Sequence, residues 1–270
     1  MDHEQIESFP HRAGALGESM EAGGAGSGGA EEARALSTYR GQGAFGERGP
    51  FIARADLETP SFPPCYIWPR RTADALSPTA AQVNPIFSTA LEVQDFCRRE
   101  EWRFCFIGAV AVQRWGEPRL TLDVDLTVLT GFGSEAAYVD RLLERFSARR
   151  PDAREFALQY RVVLLSSGSS GVSIDVSLGA MPFEERIVSR ASDFVIQPGT
   201  SLVTCGAEDL IVLKAFANRE KDWLDIEGVL FRQGKRLDEP NIWRELEPLL
   251  ELKEEPEIGD RLKRLIERCR

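Results

Sequence analysis

Apolar and polar positions along this chain change period several times, and each change predicts an element. Ile86, Leu91, Val93, Phe96 and Cys97 approximate helical spacing. A short apolar strand follows at 103–107, then a helix over 108–115 with Val110, Ala111 and Trp115 on its packed side, closed by Gly116-Glu117-Pro118. Residues 120–129 alternate strictly. That predicts a strand with Leu122, Val124, Leu126 and Val128 in the core and Thr121, Asp123, Asp125 and Thr127 on the opposite face. Thr130-Gly131-Phe132-Gly133 ends it, and Ser134 is placed to cap a helix whose stripe is Val139, Leu142, Leu143 and Phe146. Two β-like runs at 160–166 and 172–178 flank a Ser/Gly loop and predict a hairpin. A helix near 182–190 and a short strand near 200–204 come next. From Ala207 onward the pattern is helical, with interruptions at Gly234, Pro240 and Pro256. The expected fold is α/β (α+β): a small mixed β-sheet core flanked by helices, with a helical C-terminal part.

The N-terminal third breaks this pattern. Residues 1–50 hold eleven of the chain's 23 glycines and few large apolar side chains. Burial there does not offset chain entropy, which predicts a disordered Gly-rich tail. Its glycines have neither the spacing nor the strand context of a phosphate loop. Residues 51–85 interleave six prolines with Phe62, Tyr66, Ile67 and Trp68. They read either as an irregular arm whose aromatics pack on the domain or as a linker. The chain then divides into a tail at 1–50, an arm at 51–85, a core at 86–205 and a helical part at 206–270.

Composition narrows the classes. The 270 residues, 43% hydrophobic and 28% charged, have room for one or two ordinary globular domains. No apolar run approaches the roughly 18–20 residues of a membrane span, and no export signal is evident, so a cytoplasmic location is expected. Five cysteines without a Cys-x-x-Cys pair, and only His3 and His11, argue against zinc. Cys97 and Cys105 read as small core residues. A net charge of −10 argues against a generic nucleic-acid binder. Arg149-Arg150 and the cluster of Lys263, Arg264, Arg268 and Arg270 read as solvated helix faces.

The chemistry concentrates in two segments. Phe106-Ile107-Gly108-Ala109 places a glycine turn between a strand and a helix, where backbone N–H groups suit phosphate oxygens. Asp123 and Asp125 then share one strand face, their Cα atoms about 6–7 Å apart. Carboxylates that close repel unless a cation lies between them, and hard divalent cations take oxygen ligands. Asp175, on the polar face of the second hairpin strand, supplies a third carboxylate if the strands lie together, enough for a two-metal site in which Asp175 accepts a hydroxyl proton. On a continuous helix, Lys214, Asn218, Lys221, Asp222 and Asp225 would share one face, with Leu210, Leu213, Ala217 and Leu224 opposite. That face is either a phosphate-neutralising site or ordinary solvated ion pairs. Arg119 extends the polar face of the aspartate strand toward a phosphate, or pairs with Glu117. Trp115 and Trp223 read as packed helix residues.

Gly108-Ala109 followed by Arg119-x-Thr121-x-Asp123-Val124-Asp125-Leu126 resembles the DNA polymerase β-type nucleotidyltransferase superfamily. Within it, the AbiEii-like nucleotidyltransferases are most similar, the toxin half of type IV toxin–antitoxin systems. Lys214-Ala215 and the run from Arg219 through Lys221-Asp222-x-x-Asp225 resemble that family's remaining motifs, so the resemblance covers about residues 86–232. It implies a nucleotidyltransferase core completed by the helical part. It also implies transfer of a nucleoside monophosphate from an NTP to a hydroxyl acceptor, with pyrophosphate released and Mg²⁺ or Mn²⁺ as cofactor. Asp123, Asp125 and Asp175 would bind metal, and Asp175 also the acceptor hydroxyl. Gly108 and Ala109 would contact the triphosphate and Lys214 the leaving phosphates, with Arg119, Asp222 and Asp225 completing the nucleotide site. The acceptor (tRNA, protein or small molecule) and a cognate antitoxin partner stay open. Ala109 departs from the family's glycine or serine: the backbone N–H is kept and a side-chain hydroxyl is lost. Two other readings remain: an aminoglycoside-type small-molecule nucleotidyltransferase, and a non-catalytic NTP-binding interaction protein using the proline–aromatic arm.

Overall fold

The computed structural model describes residues 84–270; the tail and all but the end of the arm lie outside the described residues. Helix α1 (Pro85–Arg99) opens where the Asn84 side chain accepts from the Ile86 N–H at 3.0 Å and Pro85 presets the first turn. It is followed by β1 (Phe104–Phe106), α2 (Gly108–Trp115), β2 (Asp123–Leu129), α3 (Glu135–Arg145) and β3 (Ser147–Ala148). Then come α4 (Ala153–Tyr160), β4 (Val162–Ser166), β5 (Ser173–Gly179), α5 (Pro182–Arg190), β6 (Ser192–Gln197) and β7 (Thr200–Thr204). The C-terminal part is α6 (Ala207–Ala217), α7 (Glu220–Gln233), a 3₁₀ turn at Gly234–Arg236, α8 (Glu239–Lys253) and α9 (Glu257–Cys269).

The strands form a 7-stranded mixed sheet in the order β3-β4-β5-β2-β1-β7-β6. Central β2 runs parallel to β5 and antiparallel to β1, and β1 runs parallel to β7. One apolar layer joins Val124, Leu126 and Val128 of β2 to Ile174 and Val176 of β5, Val163 and Leu165 of β4, and to α1 and α3. A second layer packs α5–α9 together around residues such as Ile187, Leu210, Ile226 and Ile242. Register in β2 follows from the first layer. A slip by one residue would expose three buried side chains, at about 1.5–3 kcal/mol each, and turn Asp123 and Asp125 into the core.

The mixed sheet, the hairpin of β4 and β5 and the helical C-terminal part match expectation, and Cys97 and Cys105 are buried. Several local expectations need correction. The aspartate strand begins at Asp123, and Leu120 and Leu122 are exposed at 96% and 85% rather than in the core. β5 starts at Ser173, directly opposite Asp123, so no neighbour pairs with the residues before it. Side chains tether that stretch instead, with Gln113 Nε2 donating to the Arg119 carbonyl at 2.6 Å. Residues 160–161 belong to the end of α4 and its cap, not to a strand. Short β3, β6 and α4 bury too few side chains to leave a periodic signal. Ser134 occupies the cap position of α3 without a side-chain hydrogen bond. Pro240 lies in the first turn of α8, the interruption falling just before it. Asn218 adopts φ +54 and ends α6, so Lys214 and Asp222 lie on separate helices, and Leu224 is exposed at 70%. Among the described residues no helix is long and apolar enough to cross a membrane.

Candidate active site

The glycine turn is built against β2. Gly108 opens α2 with φ +54, and a Cβ at this position would stand 2.1 Å from Asp125 Oδ2. Both the left-handed backbone and the close approach therefore require glycine. The Ile107 N–H donates to the Asp125 carbonyl at 3.0 Å, and the Ala109 N–H donates to the Asp125 carboxylate. The amide that the sequence directs at a triphosphate here braces a carboxylate.

Asp123 and Asp125 are half-buried on one face of β2, and the parallel register sets Asp175 of β5 directly beside Asp125. Thr121 Oγ1 donates to Asp123 Oδ1 at 2.5 Å. Desolvation, then the charges of Asp123 and Asp175, push the Asp125 carboxyl up to about 6, against the opposing pull of the Ala109 N–H and Lys214. Burial also raises Asp175, opposed by Arg149 and reinforced by Asp123. Three oxygen donors on adjacent strands suit a hard divalent cation. Among the described residues, however, no three His, Cys, Asp or Glu side chains stand in metal-holding geometry. Asp123 and Asp125 fit as ligands, whereas Asp175 is ion-paired with Arg149 and would join them only on parting from it.

The raised Asp125 has a consequence for stability. The folded chain holds this proton more tightly than the unfolded chain, whose ordinary value is 3.8. Stability from this group therefore falls as pH rises between about 4 and about 6, and the penalty is complete above that window. Asp125→Asn removes it. The variant is expected to exceed the parent in stability by roughly 1–3 kcal/mol near neutral pH, the gap closing as pH falls to about 4. Thermal melting of both proteins across that range checks this, and a pH-independent gap would contradict it.

Facing the carboxylates is a chain of alternating charges. Arg119 donates twice to Asp225, at 2.8 and 2.9 Å. Lys214 Nζ lies 2.6 Å from Asp225 Oδ2 and 3.1 Å from Asp222 Oδ1, and Arg219 donates to Asp222 at 2.5 and 3.2 Å. Burial alone would raise Asp225, but Arg119 and Lys214 outweigh it and hold the carboxyl below its usual range. The break at Asn218 makes this possible, because it folds α7 back so that both aspartates reach Lys214. Lys214, Asp222 and Asp225 are buried, while the Arg119 and Arg219 side chains remain 39% and 38% exposed. Arg219 also experiences the charges of Asp125 and Asp123, and Arg119 that of Asp123. The arginines are thus the cations of this cluster open to a phosphate. Arg119 takes Asp225 rather than Glu117. Lys221 is exposed, outside the cluster, and Trp223 is packed, its Nε1 donating to Asn218 Oδ1 at 3.0 Å.

Sequence reasoning missed two residues here. Arg219 begins the second run that carries the family resemblance, but a continuous helix through this stretch leaves the break at Asn218, and so the placement of Arg219, without a local signal. The sequence pattern places Arg149 on a solvated helix face; in the structure it follows edge strand β3, and its guanidinium pairs with Asp175 and donates to Ser173 Oγ at 3.3 Å.

No family model and no curated protein matches the chain. Among solved structures, it is similar to an antigenic nucleotidyltransferase-like protein from Paracoccidioides brasiliensis, at 15% identity and TM-score 0.39, over 66% of this chain and 92% of that one. The lincosamide antibiotic adenylyltransferase LnuA, bound to lincomycin, matches at 11% identity and TM-score 0.37, over 54% of this chain and 98% of that one. The antibiotic-resistance factor ANT(2'')-Ia matches at 15% identity and TM-score 0.38, over 67% and 96%. At these scores the likenesses add nothing to what the site's own geometry supports.

Proposed function

We propose that this chain is a nucleotidyltransferase that moves a nucleoside monophosphate from an NTP to a hydroxyl acceptor. The observation that carries the reading is a glycine turn in contact with Asp125, with Asp123 and Asp175 on the same sheet face and two partly exposed arginines facing them. Such a site combines a carboxylate set for divalent cations with cations for a polyphosphate. A divalent ion, when held by Asp123 and Asp125, would neutralise triphosphate oxygens and the mutual repulsion of these carboxylates.

The acceptor oxygen forms a bond to the α-phosphorus as the bond from that phosphorus to the bridging oxygen of pyrophosphate breaks. The acceptor proton passes to the Asp175 carboxylate. Arg119 and Arg219 meet the charge that develops on pyrophosphate, and Lys214 positions them through Asp225 and Asp222 rather than touching phosphate itself. The test is incubation of the purified protein with each α-labelled NTP, Mg²⁺ or Mn²⁺, and separate RNA, protein and small-molecule fractions. Metal-dependent label in one fraction supports transfer and names the acceptor class. Nucleotide binding without any pyrophosphate release overturns it. A toxin role rests on the AbiEii-like motif resemblance; its expected outcome is growth arrest on expression, relieved by Asp123→Asn.

A further inference from the structure

The sheet continues past Asp175, and its register aligns a second set of side chains with the reacting centre. Asp125 lies opposite Asp175, Asp175 opposite Leu164, and the Arg149 N–H donates to the Leu164 carbonyl at 3.0 Å. These four residues form one row across β2, β5, β4 and the end of β3, on one sheet face. The neighbouring row is Asp123, Ser173, Ser166 and Ser147. This half of the site face is open: Ser147 and Arg149 are exposed, and Leu164, Ser166 and Ser173 are half-buried. Its chemistry is one apolar floor residue, three hydroxyls and one guanidinium, with Asp175 as its carboxylate.

Resting on the nucleotidyltransferase reading, we propose that this row is the acceptor subsite, that it takes a phosphorylated sugar, and that Arg149 is its specificity determinant. An acceptor lying along the row sets its hydroxyl at Asp175, its carbon skeleton over Leu164 and its phosphate at Arg149. The backbones of Asp175 and Arg149 are two strand spacings apart, about 10 Å, so the row has room for a pentose phosphate once the Arg149 guanidinium, now paired with Asp175, draws back over its own strand. A guanidinium fork matches a phosphate in two parallel hydrogen bonds, and phosphate carries more charge than the single carboxylate it replaces. Arrival of the phosphate therefore draws Arg149 from Asp175 and releases that carboxylate to accept the hydroxyl proton. A cationic acceptor meets repulsion at Arg149 and leaves Asp175 paired.

The experiment is isothermal titration of the full chain with ribose 5-phosphate and with ribose. Mg²⁺ is present and the donor site is filled by whichever of the four non-hydrolysable NTP analogues binds most tightly. Ribose 5-phosphate is expected to bind about tenfold or more tightly than ribose. Arg149→Ala should bring that ratio to within about twofold, and Arg149→Lys should restore part of it, a pattern that general loss of structure does not produce. Equal binding of the two sugars by the parent chain, or an unchanged ratio in Arg149→Ala, overturns the subsite while donor binding stands. If no NTP analogue binds, the nucleotidyltransferase reading itself fails, and the subsite with it.

Discussion

Asp123→Asn is expected to reduce nucleotidyl transfer by about a thousandfold or more while leaving the chain folded. Under the proposed mechanism, Asp123 contributes one of two carboxylates on β2 that fit a divalent ion, and an amide is a far poorer ligand for a hard cation. The same substitution is nearly isosteric. The Asn oxygen can still accept from Thr121 Oγ1, and a charge that opposes ionisation of Asp125 and Asp175 is removed. Stability is therefore expected to hold or rise, and the Asp125 carboxyl to move back toward its ordinary value. Pyrophosphate release under single-turnover conditions, set beside thermal melting, separates the two effects. A variant that keeps activity within about threefold would remove Asp123 from the chemistry and with it the two-carboxylate site.

Gly108→Ala is expected to damage both fold and activity. At φ +54 an alanine is strained by about 1 kcal/mol or more. Its methyl would also stand 2.1 Å from Asp125 Oδ2 and 2.6 Å from Asp125 Cγ, far inside contact distance. The relief available is movement of the Asp125 side chain or of the turn that donates to it. Either displaces a proposed metal ligand, and misplacement of a reacting geometry by about 1 Å costs on the order of a hundredfold in rate. We expect about 2–4 kcal/mol of destabilisation together with at least that loss of transfer. Urea unfolding and turnover at saturating NTP report each part. Parent-like values in both would mean that the turn does not brace Asp125.

Much of the framework was legible because it depends on short-range periodicity. Val124, Leu126 and Val128 alternate with Asp123, Asp125 and Thr127, and the structure places the two sets on opposite faces as a period of two demands. The same alternation in residues 173–177 aimed Asp175 at the right side, and Gly108 after an apolar strand marked the turn. Leu122 failed the same rule: alternation buries a side chain only where a neighbouring strand and a covering layer exist, and none reaches it. Lys214 also followed only in part. Helical spacing places it near Asp222 and Asp225, but on one continuous helix with its polar face at a phosphate or in solvent, whereas the structure buries it between two helices.

By itself, then, the sequence determined the α/β class, the faces of its principal strands and the set of carboxylates, because these arise from local backbone geometry and burial. Only tertiary structure decided which charges meet. The break at Asn218 buries Lys214 between two aspartates and leaves Arg119 and Arg219 as the partly exposed cations of that cluster. The pairing of β3 with β4 and of β4 with β5 carries Arg149 to Asp175 from 26 positions away. Strand register and helix docking are long-range outcomes set by the whole core, so no local pattern around Arg149 or Arg219 records them.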